Sequence, residues 1–212
     1  MVLQKIVNDY EQGLVHMRNE AAHPDFPANK HARRNFYYDI KYVQGLKEQG
    51  VSDYELIYAC VFNRDRHLWL MSVEIAVTIT QTLVEAEVLH RAYADFEELY
   101  DRVSSLIASI RGVGDVTVYD ITVRIGVVIG IYPANYVYLH GKLRESARTL
   151  LGVKRLPAVR VSVTVFIDIF IDITAIFIED FLCAKHDELI AANFTFGKLP
   201  AKGTITNNKY FY

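Results

Sequence analysis

Cysteine is almost missing from this chain: two among 212 residues, Cys60 and Cys183. Two thiols make neither a disulfide framework nor a cysteine metal cluster, and they fit a reducing, cytoplasmic compartment. Proline is sparse as well, at five, so few positions forbid helix. No clean membrane-length apolar run occurs. The most apolar stretch, 159–178, carries Asp168 and Asp172 in its middle, which argues against a lipid-spanning helix, and no membrane contact is expected. The N-terminus enters a charged amphipathic pattern directly, so no signal peptide is expected. Seven histidines are scattered without the H-E-x-x-H spacing of zinc proteases, and no phosphate-binding loop, dinucleotide loop or serine elbow is present. Neither a metal nor a cofactor is expected, and no residue set identifies the chain as an enzyme.

What is present suits a packed core. Apolar residues make up 51% and charged residues 23%, with 14 Tyr and 11 Phe. Net charge is −2, but its sign is segregated: residues 51–110 hold 4 basic and 10 acidic side chains, and residues 111–160 hold 8 and 3. The whole chain is therefore no general polyanion binder, while one segment supplies local positive charge.

Helical periodicity dominates. Leu3, Ile6, Val7, Tyr10, Leu14 and Met17 predict a helix over 3–18, and Phe36, Ile40, Val43 and Leu46 one over 31–47. Ser52-Asp53-Tyr54-Glu55 has the form of a capping box ahead of a short helix. The segment 68–92 reads as helix despite its β-branched centre. Asp95 caps the clearest amphipathic stripe, Phe96, Leu99, Tyr100, Val103, Leu106, Ile107 and Ile110. A Val-rich helix over 116–129 follows and closes at Pro133. A basic helix covers 142–151 with Gly152 beyond it, and another helix covers 178–190.

One segment breaks the pattern. From Val159 to Ile173 every odd position is Val or Ile, the alternation of a long strand with one apolar face. It needs a partner: 72–80, 116–129 or a second copy of the chain. The expected fold is thus mainly α, a helical globular domain over 1–192 with a minor β component at 159–173 and an irregular tail over 193–212.

Arg111-Gly112-Val113-Gly114-Asp115 joins two predicted helices, so the element over about 96–130 is a helix, a tight glycine turn and a helix. Glycines let backbone approach a phosphate, and the second helix begins with free N–H groups that hold an anion without reading sequence. Asp115 would make a good N-cap but sets a negative charge beside that site. Residues 106–117 resemble the helix-hairpin-helix element of DNA-repair glycosylases, with Gly112, Val113 and Gly114 as the hairpin, Leu106 and Ile110 as anchors and Thr117 on the following helix. The resemblance implies DNA as a partner. It does not extend to the chemistry: Val116 stands where bifunctional members place the catalytic Lys, and Ala134 near the place of their Asp.

The basic run, Lys142, Arg144, Arg148, Lys154, Arg155 and Arg160 with Glu145 as its lone acid, would join Arg111 in tracking a phosphate backbone. The opposing reading pairs those charges with the acidic 85–101 region. Residues 118–126 and 137–141 also resemble a motif pair of an uncharacterised bacterial protein family, which suggests that Asp120, Arg124 and His140 form one polar site. Asp168, Asp172, Glu179 and Asp180 are a further acidic set; on a strand the first two lie about 13 Å apart at ~3.3 Å per residue, too far to share an ion. Three functions stay open: nucleic-acid contact through the hairpin and basic segment, an enzyme built on Asp120, Arg124 and His140, and a scaffold or homodimer using 159–173.

Overall fold

A helix made largely of Val, Ile and Thr needs burial on every side, because β-branched residues lose side-chain freedom in a helix. Asp115–Ile129 meets that condition: from Val118 to Val128 every residue except Asp120 is buried. Here packing overrides local propensity.

The computed structural model describes residues 2–21, 36–62, 71–156, 159–166, 169–170 and 174–192. Among them lie nine α-helices: α1 (Val2–Ala21), α2 (Phe36–Glu48), α3 (Asp53–Val61), α4 (Val73–Glu85), α5 (Phe96–Ile107), α6 (Asp115–Ile129), α7 (Leu143–Leu151), α8 (Ala175–Ala184) and α9 (His186–Ala191). Two short strands, β1 (Tyr136–Tyr138) and β2 (Arg160–Ser162), pair antiparallel with Val137 opposite Val161. The fold is mainly α-helical with a small two-stranded β component. The expected tail, 193–212, lies outside the described residues. The chain falls into two compact units, one of Asn19–Tyr132 and one of Met1–Arg18 with Pro133–Tyr212.

In the Asn19–Tyr132 unit, α6 packs against α2, α3 and α5. Asp95 caps α5 by accepting from the Glu98 amide at 2.9 Å, and Glu98 accepts in return from the Ala94 amide. The stripe Phe96, Leu99, Tyr100, Val103 and Ile107 is buried, each side chain contributing about 1.5–3 kcal/mol against exposure. The capping box on α3 forms as the sequence implies. The Ser52 hydroxyl accepts from the Glu55 amide, and the Glu55 carboxylate accepts from the Ser52 hydroxyl at 2.7 Å and from the Ser52 amide; the hydroxyl bond first and then the amide bond hold that carboxyl below its usual range.

The β-branched run at 73–80 is helix because its threonines satisfy themselves within it: the Thr78, Thr80 and Thr82 hydroxyls each donate to the carbonyl four residues back. The helix expected over 68–92 is shorter than its pattern. α4 ends at Glu85, and Glu87 turns the chain with φ +52°. α6 ends at Ile129 as expected, with Gly130 as its C-cap in the left-handed region at φ +81°. Lys47 donates to the Val128 carbonyl at 2.6 Å, placing a cation at the negative end of α6.

In the same unit His90, in the turn after α4, pairs with Asp53, the first residue of α3. The Asp53 hydrogen bond, then its charge, raises the His90 imidazole above its ordinary value. A raised histidine stabilises the fold fully below its unfolded pKa of about 6.5 and stops doing so as pH climbs through the raised value. Both side chains are largely exposed, so the expected result is local: Asp53→Asn returns the His90 titration midpoint, read by NMR, to the ordinary range. An unchanged midpoint would contradict the pairing.

In the other unit, α7 packs against α8 and α9, and β1 against α8. Leu3, Ile6, Val7 and Tyr10 of α1 are buried as expected, while the side chains of Leu14 and Met17 lie outside the described residues. Tyr10 is anchored on α8: its hydroxyl lies 2.8 Å from Asp180 Oδ2 and 3.2 Å from the Phe177 carbonyl. Gly152 closes α7 with φ +63°.

Two expectations in this unit are corrected. Among the described residues of the long strand expected over 159–173, only Arg160–Ser162 is strand, and a 3-10 turn over Val163–Phe166 follows it. Its partner is β1, not 72–80 or 116–129, which are helical. Val161, Phe166, Ile169 and Phe170 enter the core, so successive residues of the run are buried by a turn rather than by alternation. The helix expected over 178–190 is two, broken at Lys185 with φ −106° and ψ 18°.

Candidate nucleic-acid interface

The α5–α6 corner is a tight turn between two helices. The Ile110 amide donates to the Ile107 carbonyl and the Val113 amide to the Ile110 carbonyl, carrying the chain around before α6 begins. Gly112 has φ +92°, the left-handed region that favours glycine, and a Cβ there would also lie 3.3 Å from the tip of the Ile75 side chain. Arg111, Gly112 and Gly114 are exposed and Val113 is half-buried.

Gly114, not Asp115, is the N-cap of α6, with extended backbone and no side-chain cap bond. Asp115 instead becomes the first helical residue, exposed, with its carboxylate at the positive end of the helix dipole. The first turn therefore presents amides and a competing negative charge together.

The basic set belongs to the other unit. Lys142 at the N-cap of α7, Arg148 on α7, and Lys154 and Arg155 just beyond it are exposed. Among the described residues no ion pair or side-chain hydrogen bond engages these four or Arg111. Arg144 behaves differently: its guanidinium turns inward to the Leu139 carbonyl at 3.3 Å, and its Nε is buried without a partner among the described residues. Sharing a helix face with Arg148 does not make it a surface cation.

Asp120 and Arg124 lie in the Asn19–Tyr132 unit and His140 in the other. Arg124 is buried, and its guanidinium donates to the Asp120 carbonyl one helical turn back. His140 pairs with Glu179 at 3.1 Å, with side chains only 10% and 14% exposed. Sequence spacing had no way of matching those two, 39 residues apart. A second long-range pair links Ser146 Oγ to His186 Nδ1 at 2.8 Å. It joins α7 to α9, and Ser146 is fully buried. It acts as packing rather than as an accessible nucleophile.

Of the C-terminal acidic set, Glu179 faces His140 and Asp180 faces Tyr10; Asp168 and Asp172 lie outside the described residues. No group of His, Cys, Asp and Glu among the described residues is arranged to hold a metal ion. No described helix is long and apolar enough to cross a membrane. No family model, curated protein or solved structure matches the chain.

Proposed function

We propose that this protein contacts nucleic-acid phosphate without reading base sequence. The observation that carries the reading is the set Lys142, Arg148, Lys154 and Arg155, exposed and without ion pairs among the described residues, with Glu145 the lone acid between 142 and 160. Solvated cations release condensed counterions when they meet a phosphate backbone, and that release drives association. The exposed Gly112–Gly114 corner, with its resemblance to a helix-hairpin-helix element and Arg111 beside it, is a separate element of the phosphate-contacting kind. Asp115 opposes a phosphate there by charge, so the α7 set is the principal contact.

Four phosphate contacts at about 0.9 counterion each give a salt slope near −3.6 for duplex DNA, roughly a hundred-fold weakening between 50 and 200 mM salt. Fluorescence anisotropy with a labelled duplex should show that fall. Lys154→Ala with Arg155→Ala should flatten the slope by about two. Asp115→Asn should tighten binding if the corner takes part. Absence of binding at 50 mM salt, or a slope that ignores the double variant, overturns the proposal.

A further inference from the structure

We infer that Tyr136 and Arg160 form a stacking platform that makes the Pro133–Tyr212 part of the chain prefer unpaired nucleotides to duplex; the inference rests on the phosphate reading above and deepens it. Tyr136 and Tyr138 are two apart on β1 and so share a face of the ribbon, with Arg160 paired to Tyr138 and Ser162 to Tyr136. Tyr138 is buried, whereas Tyr136 keeps 36% of its surface in solvent. The Arg160 guanidinium lies over the Tyr136 ring, 5.1 Å from its centre, and donates to the Tyr138 hydroxyl at 3.3 Å. The second contact helps hold the guanidinium in place over the exposed ring as a cation–π pair.

Charge supplies the choice of occupant. Lys154 and Arg155, exposed and without ion pairs among the described residues, stand six and five residues ahead of Arg160 in the sequence. An exposed aromatic ring with an arginine held over it, and solvated cations a few residues away in the sequence, suits a strand whose bases are free to stack while its phosphates meet the lysine and arginine. A duplex satisfies the cations but keeps its bases stacked on each other, so it gains nothing from Tyr136. The preference should extend to every base, since all present a π face.

The test compares a labelled oligothymidine, an oligouridine and a mixed-sequence duplex by anisotropy at 50 mM salt, using the full chain. The expected result is tighter binding of both single strands than of the duplex. Tyr136→Ala should weaken the single strands about ten-fold and leave the duplex unchanged, and Tyr136→Phe should retain single-strand affinity. A thermal melt of Tyr136→Phe matching the parent shows that its affinity is read on folded protein. Duplex bound as tightly as single strands, or Tyr136→Ala without effect while Lys154→Ala with Arg155→Ala still weakens binding, overturns the platform and leaves the phosphate contact standing. No binding of any of the three probes removes both.

Discussion

Gly126→Ala is expected to destabilise the Asn19–Tyr132 unit by about 3 kcal/mol, well outside the range of ordinary surface changes. On propensity alone the substitution should help, since glycine inside a helix costs up to about 1 kcal/mol relative to alanine. Geometry reverses the sign. A Cβ at Gly126 would lie 2.2 Å from the Ile131 carbonyl oxygen, an overlap that no rotamer change relieves because the obstacle is backbone. The chain doubles back there after Gly130, with the Ile131 amide donating to the Gly126 carbonyl at 2.8 Å. Moving Ile131 away would break that bond and disturb the exit of α6, the helix with the longest buried run in its unit. Gly130→Ala is the useful comparison. It meets open space and pays only for a positive φ of 81°, on the order of 1–2 kcal/mol. Hydrogen exchange of the α6 amides, with chemical denaturation, separates the two; a Gly126→Ala loss no larger than that of Gly130→Ala would refute the close-approach account.

That glycine shows where the sequence stops being legible. Helices α3 and α5 are readable from their caps and stripes because their signals are local: Ser52 with Glu55, Asp95 with Glu98, and one apolar face each. In α6 and α4 the local signal is contradictory, since β-branched residues point to strand. What makes them helical is burial of α6 on nearly all sides and the internal bonds of the α4 threonines. The alternation over 159–173 misleads for the opposite reason. Among the described residues, period two is satisfied only over Arg160–Ser162, after which a 3-10 turn buries Phe166. The candidate site divides the same way. The glycine corner and the basic run are visible as composition, whereas the inward turn of Arg144 and the pairing of His140 with Glu179 depend on contacts that spacing does not encode.

His140→Ala should be the second large effect, costing the Pro133–Tyr212 part of the chain about 3 kcal/mol. Glu179 lies on α8 with its side chain 14% exposed, and His140 Nε2 stands 3.1 Å from its Oε1. A carboxylate so shielded from water depends on its donor. Removing the imidazole strands the charge rather than merely deleting one bond, and desolvation of an unpaired ion exceeds the net value of a typical hydrogen bond. His140 follows β1 directly, so the pair also fixes where the chain leaves the ribbon and enters α7. The two explanations separate in a double-mutant cycle. If the stranded charge dominates, Glu179→Gln alone is mild, and adding it to His140→Ala recovers much of the loss. If positioning of the β1–α7 connection dominates, the losses add. Chemical denaturation of the four proteins at one pH gives the coupling, and His140→Gln, which keeps a donor, should fall between parent and alanine variant. Additive losses within about 0.5 kcal/mol would show that the carboxylate is solvated enough to do without its partner.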